Sequence, residues 1–80
     1  MGPTKYIVYD DFNVGVTIII FPSFLVHQDV ATRMRAHVLS AGFLSIGADG
    51  SPHCYGESVS LNVKANPATD NVLAARLLGR

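Results

Sequence analysis

The sequence predicts an α+β fold, ββαββα in chain order, with a four-stranded, mainly antiparallel sheet and two helices packed on one face. Three observations carry this expectation. Runs rich in β-branched and aromatic residues, bounded by turn residues, occur at Lys5–Asp10 and Val14–Phe21, and again at Val38–Ile46 and His53–Val63. Apolar residues recur every fourth position through Val26, Val30 and Met34. Asn66-Pro67 has the form of an N-cap followed by proline in the first helical turn, and Gly79 supplies the stop.

Met1 to Thr4 are expected to be a flexible start, because Gly2-Pro3 begins regular structure poorly. Lys5–Asp10 alternates Tyr6 and Val8 against Ile7 and Tyr9, and Asp11-Phe12-Asn13 turns the chain into an antiparallel hairpin. The strand Val14–Phe21 is apolar on both sides of its pleat. Val14, Val16, Ile18 and Ile20 share one face, while Gly15, Thr17, Ile19 and Phe21 share the other. Pro22 ends it. A helix over His27–Ala36 sends Gln28, Arg33 and Arg35 to water and places Asp29 near the positive end of the dipole.

Val38–Ile46 reads as the third strand, and Gly47-Ala48-Asp49-Gly50-Ser51-Pro52 as a turn. In the fourth strand, His53–Val63, the residues Tyr55, Val59, Leu61 and Val63 line one face and Gly56, Ser58, Ser60 and Asn62 the other. The last helix runs to Leu78 and buries Leu73, Ala74, Leu77 and Leu78, with Arg76 outward. Residues 5–36 and 38–79 thus form two ββα halves of one domain spanning 1–80. Amphipathic helices that follow hairpins look alike without any duplication.

Eighty residues are near the size at which a single core gives modest stability. At 49% apolar and 15% charged, the chain is too hydrophobic for disorder. The apolar stretch Val14–Val26 is interrupted by Thr17, Pro22 and Ser23 and is too short for a membrane span. The chain does not open on a basic-then-apolar leader, and its single cysteine, Cys54, fits a reducing cytoplasm. Six basic and six acidic residues cancel. That balance lacks the footprint of a dedicated nucleic-acid binder and offers little protection against self-association.

If both helices cover one face, the second strand is left open on its other side. The expected interface is Thr17, Ile19 and Phe21, joined by Ser58 and Ser60, and the expected function is a small non-catalytic interaction or assembly module. Its partner would be a second copy, giving a homodimer, or another protein. Alternatively, the loop Pro22–Val26 folds Phe24 and Leu25 back over Ile19 and Phe21.

His27, Asp29 and Glu57 are the polar site candidates. Asp29 is better explained by its place in the first helical turn. Glu57 shares its strand face with Tyr55, Val59 and Leu61, where burial would require an arginine or tyrosine hydroxyl partner and a place near the strand end lets it reach water. His53 and Cys54 point to opposite faces of a strand, so they cannot act together. His27, His37, His53 and Cys54 lack the short-range spacing of a metal site, and no cofactor or metal is expected. Gly56-Glu57-Ser58 lacks the strand–turn–helix setting of a nucleophile elbow.

Two other functions remain at this point. One is a weak nucleic-acid binder that stacks bases on Tyr6, Tyr9, Phe43 or Tyr55, although Arg33, Arg35, His37, Lys64, Arg76 and Arg80 do not interleave with these rings. The other is a small enzyme or ligand-binding domain, which would need a pocket uniting at least two of His27, Glu57 and Cys54.

Overall fold

Two hairpins join side by side in the computed structural model, which describes residues 4–35 and 37–79. The elements are β1 (Thr4–Asp11), β2 (Gly15–Phe21), α1 (His27–Met34), β3 (His37–Ile46), β4 (Pro52–Tyr55), β5 (Glu57–Ser58), β6 (Val63–Lys64) and α2 (Pro67–Leu77). The main sheet has the order β2-β1-β3-β4, antiparallel throughout, and β5-β6 form a separate small hairpin. The α+β class and the four-stranded antiparallel sheet are as expected. Thr4, expected to be flexible, is the first residue of β1, while Met1 to Pro3 lie outside the described residues.

Local chemistry sets the first hairpin. Asp11 Oδ1 accepts hydrogen bonds from the backbone N–H groups of Asn13 and Val14, at 2.8 and 3.0 Å. This turn closes on Gly15, whose φ of 90° suits glycine alone. The register then runs from Asp11↔Gly15 to Lys5↔Phe21. Between β1 and β3 the pairing steps from Val8↔Ser40 to Tyr9↔Val38, so Leu39 is the extra residue of a β-bulge.

The core has two parts. Tyr6, Val8, Ile18, Leu44 and Cys54 pack with Ala74 of α2, and Ile20 and Leu73 lean on them. Ile7, Phe21 and Ala41 pack with Ala31 of α1, and Ile19, Val30, Leu61 and Val63 join them. Successive residues of β1 face opposite ways, so the helices lie on opposite faces of the sheet. This corrects the expectation that both share one face. Because β1 and β2 carry an apolar row on each side, burying both rows removes more apolar surface than doubling the cover on one. Ile18 and Phe21, on opposite faces of β2, are each only 6% exposed.

The long fourth strand is also corrected. Its alternation is interrupted at Gly56 (φ 77°) and Asn62 (φ 56°), both left-handed, and the chain folds there into the β5–β6 hairpin. Asn62 N–H closes the tight turn on the Val59 carbonyl. Helix α1 ends at Met34 with Arg35 left-handed at its cap, and Ala36 lies outside the described residues. Helix α2 starts at Pro67 as expected, but Leu77 and Leu78 are exposed, and Asp70 and Ala74 hold the buried positions. No helix among the described residues is long and apolar enough to cross a membrane.

Candidate functional site

The residues expected to form an open face are not together on a surface. Phe21 is buried, Thr17 and Ile19 are half-buried, and Ser60 alone is exposed. Ser58 is 1% exposed. The cover comes from α1 and the β5–β6 segment rather than from the Pro22–Val26 loop, whose Phe24, Leu25 and Val26 are exposed. The serines are structural. Ser58 Oγ accepts the Leu61 N–H at 3.3 Å, and Ser60 Oγ accepts the Gln28 N–H at 3.2 Å, tying the hairpin to the first turn of α1.

What the fold does leave open is an edge. On β4, at one side of the sheet, the strand is four residues long and begins at Pro52, which has no N–H. The Cys54 N–H is taken by Asn71 Oδ1 of α2 at 2.6 Å. On β2, at the other side, seven residues run from Gly15 to Phe21 without a charge or a proline, and the pairing with β1 has no bulge. Among the described residues, no hydrogen bond outside the β1 ladder reaches this strand's backbone. Phe12 and Val14 in the preceding turn and Val16 on the strand are exposed, and Leu39 and Val72 extend the apolar surface from Val16 across the α2 side. Val8, Val16, Leu39, Val72 and Leu73 line a groove of about 460 Å³ there.

At the base of that groove lies a polar cluster that sequence reasoning missed. Asp70 has no exposed surface. Its Oδ2 accepts the Tyr6 hydroxyl at 2.5 Å and the Asn66 N–H at 2.8 Å, and its Oδ1 accepts the Ser40 hydroxyl at 2.8 Å. The carboxylate therefore pins the N-terminal turn of α2 to β1 and β3. Burial, reinforced by the hydrogen bond to Asp70, pushes the Tyr6 phenol far above its ordinary range. Nearby, burial and then the Asp70 charge push the Cys54 thiol up to about 11. A thiol so poised stays protonated at neutral pH and is a poor nucleophile. The signal for this cluster was present: Asp70 sits four residues before Ala74 on the inward stripe of α2, and Ser40 interrupts an apolar strand.

His27 and Glu57 do come together. Both line a pocket of about 520 Å³ with Lys5, Phe43, Tyr55 and Val59. His27, at the start of α1, is 4% exposed, and its ring meets Phe21 and Phe43 edge-on at centroid distances of 5.5 and 5.9 Å. Its Nε2 lies 2.8 Å from the Gly42 carbonyl, which can only accept, so Nε2 carries the hydrogen. Burial, aided by the Lys5 charge and opposed by the Gly42 hydrogen bond, holds the imidazole below its ordinary pKa. Glu57 is exposed on β5, and Asp29 is exposed in the first turn of α1. Cys54 belongs to the α2-side core, on the other face.

Among the described residues, no group of three or more His, Cys, Asp or Glu side chains could hold a metal ion. Of the rings considered for stacking bases, Tyr6 is fully buried, while Phe43 and Tyr55 stack on one another at 5.8 Å. No family model matches the chain, and no curated protein or solved structure matches it.

Proposed function

We propose that the protein is a non-catalytic assembly module that pairs with a second copy of itself through the free edge of β2. The observation that carries this is the asymmetry of the two sheet edges: β4 is short, begins at a proline and is capped by Asn71, whereas β2 is long, free of bulges and uncharged. An edge of that kind presents unpaired N–H and C=O groups that another strand satisfies. A copy of β2 is a natural occupant, since antiparallel pairing of a strand with itself is compatible with a two-fold axis. Apolar side chains of β2, the exposed Val16 among them, then pack against those of the copy, and the chain's zero net charge opposes the contact little. Two four-stranded sheets would become one of eight strands. A reducing, cytoplasmic setting suits the single buried thiol.

The test is sedimentation equilibrium from micromolar to high-micromolar concentration, on the wild type and on Val16→Lys. Val16 is 53% exposed, so the lysine reaches water and leaves the core intact. Self-pairing requires a concentration-dependent dimer in the wild type that Val16→Lys weakens without loss of thermal stability. A wild type that stays monomeric throughout the range contradicts it.

A further inference from the structure

The pocket beside β5 has a feature that neither packing nor edge pairing uses. The His27 ring gives its Nε2–H to the Gly42 carbonyl, which leaves Nδ1 with a lone pair. Among the described residues Nδ1 has no hydrogen-bond partner. It is not sealed in, because no enclosed side-chain nitrogen or oxygen there lacks a partner. A side chain more than nine-tenths buried thus keeps one acceptor that is not enclosed, and the same residue lines the pocket. The pocket's walls are apolar and aromatic: Val26, Val59 and the stacked rings of Phe43 and Tyr55. Gly56 keeps that wall close, since a Cβ on it would come within 3.1 Å of the Phe43 ring. Val59, at the mouth, is 85% exposed.

We propose that this pocket binds a small planar aromatic molecule bearing one N–H or O–H donor, a phenol or an indole by class. The donor goes to His27 Nδ1 and the ring lies against Phe43 and Tyr55. A volume of about 520 Å³ leaves ample room for one or two fused rings. Lys5 and Glu57 on the lining carry opposite charges, and Lys5 Nζ already donates to the Leu25 carbonyl at 2.8 Å. A neutral ligand therefore fits better than an ion of either sign. Burial keeps the imidazole neutral, so its lone pair is available near neutral pH.

The experiment uses the full chain at pH 7.5, with long-range ¹H–¹⁵N spectra that resolve the histidine ring nitrogens. Phenol and indole are titrated beside their capped analogues, anisole and N-methylindole, which keep the ring and lose the donor. The expected result is saturable movement of the His27 Nδ1 resonance with phenol and indole, together with shifts of the Phe43 and Tyr55 ring protons. The capped analogues should bind about tenfold more weakly, the equivalent of one hydrogen bond. Val59→Trp, at an exposed position, should fill the mouth and weaken binding of both donors. Equal affinity for capped and uncapped probes, saturable shifts confined to the α2 side, or no shift up to the solubility limit would each overturn the proposal.

Discussion

Tyr6→Phe isolates the polar cluster that joins α2 to the sheet. The substitution keeps the ring, which is fully buried, and removes one oxygen, so it opens almost no cavity. What disappears is the 2.5 Å hydrogen bond to Asp70 Oδ2. Asp70 keeps the Asn66 N–H on that oxygen and the Ser40 hydroxyl on the other. A hydrogen bond to a charged group contributes about 1.5–3 kcal/mol, and with Asp70 wholly enclosed no water replaces the lost donor. A domain of this size holds roughly 4–12 kcal/mol in total, so the change is a large fraction of its stability. At about 4–8 °C per kcal/mol, a loss of about 2 kcal/mol lowers Tm by roughly 8–16 °C. Thermal and urea unfolding followed by circular dichroism measures it. Tyr55→Phe is the control, because that phenol is exposed and should shift stability by less than about 0.5 kcal/mol. A Tyr6→Phe protein that melts within about 2 °C of wild type would refute the view that the Asp70 cluster holds α2 in place.

Other outcomes follow from the same geometry. Because His27 is held below its ordinary pKa in the folded chain, the unfolded chain binds more protons below about pH 6.5. Its contribution is therefore whole above that pH and lost as pH falls towards the folded value, with a limiting slope of about 1.4 kcal/mol per pH unit. That component should vanish in His27→Gln and persist in His37→Gln, as read from urea midpoints at pH 5 and 7.5. The Cys54 thiol, buried and pushed up to about 11, should resist Ellman's reagent at pH 8 until the chain unfolds. Fast labelling of the native protein would count against its burial. Phe21→Glu, which places a charge in the α1-side core, should unfold the chain outright. A folded Phe21→Glu protein that has merely lost a partner would restore Phe21 to a surface.

Much of the fold was legible because its signals are local. The alternation in β1 and β2, the Asp11 turn and the Asn66-Pro67 helix start each lie within a few residues of the feature they specify. The placement of the helices was not local. Two apolar rows on β2 state that both faces need cover, but nothing in the sequence says that α1 takes one and α2 the other. The stretch 53–63 misled for a different reason. Its alternation is real over β4 and stops where Gly56 and Asn62 adopt left-handed conformations, which a period-two pattern does not register. The open edge of β2 depends on strand order, which ββα units leave undetermined. His27 and Glu57 were visible as residue types, but their shared pocket comes from the β5–β6 hairpin. Asp70 went unread because a helical aspartate near an N-terminus usually faces water.

Amide hydrogen exchange along β2, measured at several protein concentrations, tests self-pairing at the level of the bonds concerned. In an antiparallel edge strand, alternate N–H groups point away from β1 and are free in an isolated subunit. If two copies join there, those outward amides of Gly15–Phe21 become protected as concentration rises, while the inward ones stay protected throughout. Outward amides that exchange at the free rate at every concentration would contradict edge-to-edge pairing.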